Sequence, residues 1–389
     1  MTGEPGVKSL SQRSDISPFV VMDVMQAAAE REAHGKIVWH LEVGQPGTSA
    51  PAPVIEALKI ALPQQTLGYT VAAGLSALRE NISQHYADFY GISVPAENII
   101  VTPGSSAAFI LAFLSGFDKG ARVAVPVPGY PCYRNILLAL DLIPVDIHVT
   151  AETDYLITAR HLRDLTEPVD GIIVSSPNNP TGTMYDAAVL DELAVYCDSN
   201  AITLISDEIY HGITFGTKAT SARQYSEKAI VVNSFSKYFS MTGWRIGWMI
   251  VPDNWLRTVE RLIQNLFIAT STLSQVGAIH AFKAYQLMDE YVSGYQQKRD
   301  ILYAALKECG LHNITYPQGA FYIYADVSHL THDSVAFCKQ LLEETGVAIT
   351  PGVDFDPYNG HKFIRFSFAA DLATITSASE ILISWFSRR

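Results

Sequence analysis

Short runs of apolar, β-branched residues alternate with helical stretches through the middle of the chain. Most of these runs are continuously apolar, which is typical of parallel strands that are buried on both faces of a sheet. A helical pattern, for example Asp186–Cys197, lies between several of them. The alternation predicts an α/β fold with a large, doubly wound and mostly parallel sheet. The predicted strands are Ile99–Thr102, Arg122–Val125, Val145–Val149, Ile172–Ser175, Ile202–Ser206 and Ile230–Asn233.

The C-terminal part of the chain has a different pattern. A long helix is predicted at Tyr285–Glu308, with Gly294 as its one weak point. Strands are predicted at Ala320–Asp326 and Lys362–Ser367, with a helix at Asp333–Glu344 between them. These elements predict a second, smaller α+β domain.

Domain boundaries are predicted where composition changes. The Gly/Pro-rich stretch Gly44–Pro53 marks the end of an N-terminal arm. We therefore predict an arm at 1–43 that joins the smaller domain, a large domain at 44–288, and the smaller C-terminal domain at 289–389.

Composition narrows the classes of function. The net charge of −12 makes nucleic acid and anionic membranes poor partners. The four cysteines form no C-x-x-C pair, which argues against a disulfide framework or a zinc ribbon. Residues 1–15 are polar, so no signal peptide is predicted, and we expect a cytoplasmic protein.

Polar residues follow four predicted strands at the point where each strand ends. Ligands of open α/β sheets bind outside the carboxyl ends of the strands. Asp207 follows one strand, Asn179 a second and Lys237 a third, while Gly104 to Ser106 follow the first strand and open a helix. We expect these four strands to be neighbours that deliver an acid, an amide, a lysine and an anion-binding turn to one crevice.

Each of these residues has a structural explanation as well as a chemical one. Lys237 is a nucleophile toward aldehydes if burial and a nearby cation lower its pKa, and otherwise an ordinary surface lysine. Asp207 could hold a protonated ring nitrogen, or it could cap a helix or form an ion pair. The turn at Gly104 could bind a phosphate, although ordinary helix N-termini look the same.

Two arginines are further candidates for binding anions. Arg245 lies eight residues after Lys237 and could pair with the same phosphate, or with a surface carboxylate. Arg365 is flanked by Phe363, Phe366 and Phe368, and an arginine in so apolar a strand needs an anionic partner. A substrate carboxylate would be one such partner, and an internal Asp or Glu the other.

The ordered motifs of the chain resemble those of class I/II aminotransferases, pyridoxal 5′-phosphate (PLP) enzymes of fold type I. The most specific are NNPTG, D-E-I-Y and S-x-S-K-x₇-R, which occur in this order. The matching segments are GQP at 44–46, YTVAAGLSALR at 69–79, PGSSAA at 103–108, PGYPCY at 128–133, SSPNNPTG at 175–182, DEIY at 207–210, SFSKYFSMTGWRIGW at 234–248, PQGAFY at 317–322, and PGVDF followed by FIRFSFA.

The resemblance assigns roles to particular residues and makes the large domain the PLP-binding one. Lys237 would form a Schiff base with PLP and move the substrate proton, with Asp207 on the ring nitrogen and Tyr210 on the ring oxygen. The substrate would be bound by Gly44, Asn179 and Arg365, and no metal is implied. The implied cofactor-binding residues are Gly104, Ser105, Ser106, Tyr130, Asn179, Asp207, Tyr210, Ser234, Lys237, Arg245 and, reaching into the neighbouring subunit of a homodimer, Tyr69.

The family chemistry implies a ping-pong transfer from an amino acid to a 2-oxo acid. Some aspartate-preferring members have a lysine at the position of Ser106, and others use an arginine of the partner near Asn265–Thr272, a segment without basic residues here. A neutral or aromatic amino donor is therefore favoured, with 2-oxoglutarate as one possible acceptor.

Other functions are consistent with parts of the pattern. A β-lyase that cleaves C–S bonds would use the same cofactor-holding residues, because they stabilise a carbanion without fixing its fate. An S-x-x-K acyl-transfer enzyme fits residues 234–237 but lacks its partner motifs, and G-x-G-x-x-G of a dehydrogenase is absent. A regulatory protein of the same fold would need a DNA-binding extension, and the polar N-terminus is not basic.

Overall fold

The computed structural model describes residues 10–388. In that part of the chain the α-helices are α1 (Val20–Ala33), α2 (Ala52–Gln64), α3 (Ser76–Tyr90), α4 (Gly104–Gly116), α5 (Pro131–Ala139), α6 (Ala159–Arg163), α7 (Ala187–Ser199), α8 (Asp253–Leu266), α9 (Thr272–Ile279), α10 (Tyr285–Glu308), α11 (Ser334–Thr345) and α12 (Leu372–Phe386). The strands are β1 (Trp39–His40), β2 (Ile99–Thr102), β3 (Arg122–Val127), β4 (Ile143–His148), β5 (Gly171–Ser175), β6 (Thr203–Asp207), β7 (Ile230–Ser234), β8 (Gly247–Ile250), β9 (Tyr322–Asp326), β10 (Val347–Ala348), β11 (Thr350–Pro351) and β12 (Phe363–Ser367).

A seven-stranded sheet with the order β2-β8-β7-β6-β5-β3-β4 forms the centre of the large domain. Its strands are parallel except for β8, which pairs antiparallel with both β2 and β7. The α/β class and the mostly parallel sheet are confirmed, and the predicted strands are present with shifts of a few residues at their ends.

Strand β8 was not predicted, and it corrects the expected arrangement of the sheet. It begins at Gly247, a residue of the motif that carries Lys237, and glycine is depleted in strands. Because β8 lies between β2 and β7, the strand before Gly104 is not a direct neighbour of the other three. Strand β2 nevertheless runs in the same direction as β7, so its carboxyl end lies at the same edge of the sheet.

The continuous apolar runs are explained by burial of both faces of the sheet. On β5, Ile172 and Val174 pack in one core cluster while Ile173 packs in the other. The side chains of a strand alternate between faces, so a strand covered by helices on both sides must be apolar at every position. Each such side chain contributes about 1.5–3 kcal/mol of transfer free energy.

The smaller domain contains an antiparallel sheet of order β11-β12-β9 and a parallel pair formed by β1 and β10. The arm therefore joins the C-terminal elements through β1. Helix α1 also docks there, since its Val20 and Val21 amides donate to the Asp354 carboxylate at 2.8 and 3.3 Å.

The predicted domain bounds run through continuous structure at one point. Helix α10 crosses the expected division at 288–289 without interruption, and it packs against α12 of the smaller domain. Residues 1–9 and Arg389 of the predicted bounds lie outside the described residues, as does most of the polar N-terminal stretch. None of the helices at 10–388 is both long and apolar enough to cross a membrane.

Candidate active site

A cavity of about 620 Å³ opens at the carboxyl edge of the large sheet, beside the smaller domain and helix α1. This volume is typical of a site for a cofactor and a small substrate. The residues that line it are Phe19, Val21, Met22, Met25, Val43, Gly44, Gln45, Ser105, Ser106, Phe109, Tyr130, Tyr133, Ser175, Asn179, Asp207, Ile209, Tyr210, Ser236, Lys237, Thr242, Gly243, Arg245, Tyr322 and Arg365.

Lys237 follows β7 and brings its amine to this cavity. Its Nζ lies 2.5 Å from the backbone oxygen of Gly44, which comes from the end of the arm. Burial, followed by the positive charges of Arg365 and Arg245, lowers the pKa of Lys237 from 10.5 to about 8, against the opposing effect of Asp207. A substantial fraction of the amine is therefore neutral near pH 8 and able to attack a carbonyl group.

Asp207 is the last residue of β6 and is almost fully buried. Its carboxylate accepts hydrogen bonds from the hydroxyl of Tyr133 and from the Ile209 amide, the latter at 3.1 Å. Burial raises the pKa of Asp207 to about 6, although both hydrogen bonds and Lys237 act in the opposite direction. A buried acid without a paired cation is suited to hold a protonated nitrogen of a ligand.

The turn after β2 forms a cradle for an anion. Ser105 and Ser106 lie in the first turn of α4, whose amides have no acceptor within the helix. Gly104 has a φ of +77°, and a Cβ placed there would lie 2.6 Å from the Arg245 guanidinium. The left-handed φ favours glycine, and the absent side chain leaves room for the Arg245 guanidinium at the start of the helix, so a cation and the helix dipole meet at one place.

Arg365 on β12 is buried within the cavity wall. Its guanidinium donates to Asn179 Oδ1 at 2.9 Å, to Thr350 Oγ1 at 3.2 Å and to the backbone oxygen of Glu42. Its Nε has no hydrogen-bond partner among the residues that the structure describes. No ion pair at residues 10–388 involves Arg365, so the internal Asp or Glu considered as its partner is not found there.

Aromatic side chains enclose the space between these charged groups. The Tyr210 hydroxyl lies 2.7 Å from that of Tyr322, and the Tyr322 ring lies under Arg365 at 4.3 Å. Tyr130 lines the same cavity and makes edge contacts with Phe19 and Tyr133.

Three predicted residues do not line the cavity. Gly104 contributes through its backbone turn, which leaves room for Arg245 at the start of α4. Ser234 is buried, and its hydroxyl donates to Ser236 Oγ at 2.8 Å and lies 3.1 Å from the Ile246 oxygen, so Ser236 faces the cavity instead. Tyr69 is 85% exposed on the outer surface. The remaining predicted residues lie together in the cavity wall, and they are Gly44, Ser105, Ser106, Tyr130, Asn179, Asp207, Tyr210, Lys237, Arg245 and Arg365.

Several cavity residues were missed by sequence reasoning. Tyr133, Ser236 and Tyr322 lie within the motifs PGYPCY, S-x-S-K and PQGAFY, so their motifs carried a signal that was not used. Met22 and Met25 on α1 carried no such signal, because nothing in a helical pattern indicates which distant element it covers. Among residues 10–388, no group of three or more His, Cys, Asp or Glu side chains could hold a metal ion.

The residues fit PLP on their chemistry. The cofactor carries a phosphate, an aldehyde, a ring nitrogen and a ring oxygen. The α4 turn with Arg245 is a cradle for the first, the Lys237 amine suits the second, and buried Asp207 and Tyr210 suit the other two.

Comparisons with known proteins identify the family of the chain. The sequence pattern of the family Aminotransferase class I and II matches residues 36–382. Valine–pyruvate aminotransferase of Mycobacterium tuberculosis is 46% identical over 378 residues, which is 96% of this chain and 97% of that protein.

Solved structures are similar over the same extent. A crystal structure of an aminotransferase from Mycobacterium tuberculosis has a TM-score of 0.96 and 43% identity, and covers 98% of this chain and 100% of that one. Aspartate aminotransferase from Thermus thermophilus with maleate has a TM-score of 0.91 and 29% identity, covering 97% and 100%. The chain therefore belongs to the class I and II aminotransferases, a PLP-dependent enzyme family of fold type I.

Proposed function

We propose that this aminotransferase binds PLP through Lys237 and moves an amino group from a neutral, mainly apolar L-amino acid to a 2-oxo acid with one carboxylate. One observation carries the proposal. Lys237, Arg245 and Arg365 share a cavity, and no ion pair of the described chain involves any of them. Two arginines left unpaired beside a lysine of lowered pKa are suited to two anionic groups and one carbonyl.

The cofactor would be held by groups that differ in chemistry. Ser105, Ser106 and Arg245 would bind its phosphate. Gly104 would shape the turn, and Ser234 would orient Ser236 through its hydrogen bond. Asp207 would bind the ring nitrogen. The other contacts in this proposal are Tyr130 against the ring face, and Asn179 and Tyr210 at the ring oxygen.

Once bound, PLP supplies an electron sink that makes the substrate Cα–H bond acidic. The remaining work belongs to the chain's own residues. Arg365, with Asn179 and the Gly44 backbone, would fix the substrate carboxylate and thereby the direction of the Cα–H bond. Lys237 Nζ would then take the proton from Cα and return it to the carbon that entered as the aldehyde of the cofactor, a task suited to an amine with a pKa of about 8. Transfer to a second substrate would follow a ping-pong order, because one cavity has to bind both acids in turn.

Charge at the cavity wall supports the substrate class. The lining has three Lys or Arg side chains among the described residues, and each is already assigned to the cofactor or to the α-carboxylate. The wall formed by α1 and the end of the arm is apolar, with Val21, Met22, Met25 and Val43. A second carboxylate, as in aspartate or 2-oxoglutarate, would be left without a cation in this wall, which is unfavourable. Valine–pyruvate aminotransferase, to which the chain is similar, acts by its name on two substrates without a second carboxylate.

We also propose a homodimer in which Tyr69 enters the neighbouring site. Tyr69 is 85% exposed, and Val71 and Ile268 are 66% and 51% exposed. Gln275 on α9 joins the segments of Val71 and Ile268, because its side-chain amide donates to Thr70 Oγ1 at 3.1 Å and to the Thr270 backbone oxygen at 2.8 Å. Segment 267–271 connects α8 and α9 and is not a helix. Exposed apolar side chains grouped around a tyrosine are suited to a subunit contact.

The domain bounds 1–43, 44–288 and 289–389 and a cytoplasmic location are part of the same proposal. The four cysteines are unpaired, as suits a reducing compartment.

A half-reaction screen tests the proposal. Protein loaded with PLP is mixed separately with valine, alanine, phenylalanine, tyrosine and aspartate, and the visible absorption of the bound cofactor is followed. We expect neutral donors to bleach it at least about tenfold faster than aspartate does, since an unpaired buried carboxylate costs about 1–3 kcal/mol.

The second half of the screen identifies the acceptor and separates transamination from the lyase reaction. After the donor is removed, pyruvate should restore the absorption and 2-oxoglutarate should do so more slowly. A preference for aspartate would contradict the substrate class. Release of ammonia with a 2-oxo acid from one substrate, without an acceptor, would instead identify a β-lyase.

A further inference from the structure

Tyr322 is a buried cavity residue to which the proposed function assigns no task. It is the first residue of β9 and is 1% exposed. Its hydroxyl lies 2.7 Å from the hydroxyl of Tyr210, and its ring centroid lies 4.3 Å from the Arg365 guanidinium carbon. The Tyr322 side chain therefore contacts a predicted cofactor-binding residue, Tyr210, and a predicted substrate-binding residue, Arg365.

Gly44 shows how closely Tyr322 approaches the substrate side of the cavity. A Cβ placed on Gly44 would lie 1.6 Å from the Tyr322 hydroxyl oxygen. The same glycine accepts the hydrogen bond of Lys237 through its backbone oxygen. Any side chain at position 44 would displace the Tyr322 hydroxyl, so the glycine and the tyrosine are required together.

We propose that Tyr322 is a positioning residue that couples the smaller domain to the reacting groups, through its hydroxyl to Tyr210 and through its ring to Arg365. This inference rests on the proposed function, in which the Tyr210 hydroxyl donates a hydrogen bond to an oxygen of bound PLP. Tyr210 has a single hydroxyl proton and cannot donate it both to Tyr322 and to a ligand. Tyr322 is then the donor of the pair, and its hydrogen bond makes Tyr210 the stronger donor toward the cavity.

The ring of Tyr322 has a separate task. A guanidinium above an aromatic face is held by the ring quadrupole, and its plane is fixed by the contact. The Arg365 guanidinium carbon also lies 4.7 Å from the Phe355 ring centroid, so two aromatic rings contact the guanidinium. With its faces in contact with rings, the guanidinium can bind a carboxylate only at its edge, where Nε has no partner among the described residues.

Two variants separate the hydroxyl from the ring. Tyr322→Phe removes only the hydrogen bond to Tyr210, whereas Tyr322→Leu also removes the aromatic face below Arg365. Tyr324→Phe is the matched control, because Tyr324 lies on the same strand, is 2% exposed, and has a hydroxyl without a hydrogen-bond partner at residues 10–388. Cofactor content per subunit and the melting temperature are measured for each loaded protein.

The hydroxyl is tested by titrating the visible absorption of the loaded proteins with pH. A weaker hydrogen bond from Tyr210 stabilises the negative ring oxygen less. Tyr322→Phe should therefore raise the midpoint pH of the absorption titration by about 0.3 pH unit. Its kcat should fall about twofold, with KM values little changed. In a Tyr210→Phe background, the same substitution should have no further effect on the midpoint.

The ring is tested by KM values. Tyr322→Leu should raise KM for the amino donor and for the 2-oxo acid alike, by about threefold to tenfold, because both acids use Arg365. Tyr324→Phe should match wild type in the midpoint, kcat and KM.

Two outcomes distinguish the possible failures. If Tyr322→Phe matches Tyr324→Phe in both midpoint and kcat, or if Tyr322→Leu leaves both KM values unchanged, the positioning role is overturned. If wild-type protein shows no visible absorption that depends on Lys237, the proposed function fails first. A loss of folding in Tyr322→Leu alone leaves the test of the hydroxyl to Tyr322→Phe and the double variant.

Discussion

Arg365 Nη1 donates a 2.9 Å hydrogen bond to Asn179 Oδ1, and this contact joins strand β12 of the smaller domain to the loop after β5 of the large sheet. The amide holds the guanidinium in place without neutralising it. An arginine that is oriented but unpaired is suited to an anionic ligand, since burial of an uncompensated charge is otherwise costly.

Replacing Arg365 should affect substrates rather than the cofactor. We expect Arg365→Ala to lower kcat/KM about 100-fold or more, because a bidentate charged contact is lost. PLP content should be unchanged. Steady-state kinetics and absorption of the loaded protein give both values. Arg365→Lys keeps the charge but loses the bidentate geometry, so its kcat/KM should lie between those of wild type and Arg365→Ala. Unchanged kinetics in Arg365→Ala would show that Arg365 has a structural role.

Replacing Lys237 should separate binding from chemistry. Lys237→Ala removes the amine but leaves Arg245, Asp207 and the α4 turn, so PLP should still bind noncovalently while turnover is abolished. Borohydride reduction followed by mass spectrometry should label wild type at Lys237 and leave the variant unlabelled. Lys228→Ala, an exposed lysine outside the cavity, is the control. Wild-type turnover in Lys237→Ala would remove the mechanism.

Tyr133 is expected to tune the acid beneath the cofactor. Its hydroxyl donates to Asp207, and that hydrogen bond lowers the pKa of the carboxyl, which burial raises to about 6. Tyr133→Phe should therefore raise the pKa of Asp207, move the acidic limb of kcat/KM to higher pH, and lower activity about tenfold.

Tyr185→Phe provides the comparison for Tyr133. Tyr185 is also buried and donates at 2.7 Å, but to the backbone of Ile157 away from the cavity. Both variants should lose about 1 kcal/mol of stability, and only Tyr133→Phe should change the pH profile. Equal pH profiles would contradict a link between Tyr133 and catalysis.

The proposed subunit contact is tested by a charge in its apolar surface. Val71→Asp should convert the dimer to monomers in sedimentation velocity and lower activity, because Tyr69 would no longer reach a neighbouring site. Val195→Asp is the matched control, since Val195 is similarly exposed at 54% but lies on α7. A wild-type protein that sediments as a monomer and remains fully active would contradict the shared site.

His40 should make stability depend on pH. Its imidazole lies between Glu42 at 2.7 Å and Glu32 at 3.2 Å, and the hydrogen bond to Glu42 is the main cause that raises the pKa of His40 to about 9, against partial burial. The folded state thus binds the proton more tightly than the unfolded chain does. The contribution is complete below pH 6.5 and is lost as the pH rises toward 9.

Urea unfolding of wild type and His40→Gln measures this effect at one protein concentration. The difference in unfolding free energy should be about 1 kcal/mol at pH 6, after discounting for the partly exposed ring, and should vanish by about pH 9.5. A difference that is constant with pH would show that the pair is not titrating.

Much of the fold was available from the sequence because local physics determined it. The centre of strand β5, Ile172–Val174, had to be apolar because both of its faces are buried, and the long helix α10 is found at the residues predicted. The motifs around Asp207 and Lys237 likewise placed chemical groups at strand ends, where the parallel sheet brings them to one edge.

The sequence by itself determined the class of fold, the family and most residues of the candidate site, because these depend on residue type, periodicity and order along the chain. Tertiary structure alone decided that β8 separates β2 from β7, that Tyr322 contacts Tyr210 from 112 positions away, and that Met22 and Met25 cover the cavity. The physical reason is that such contacts depend on how whole elements pack, and no local pattern records the distance between residues that folding brings together.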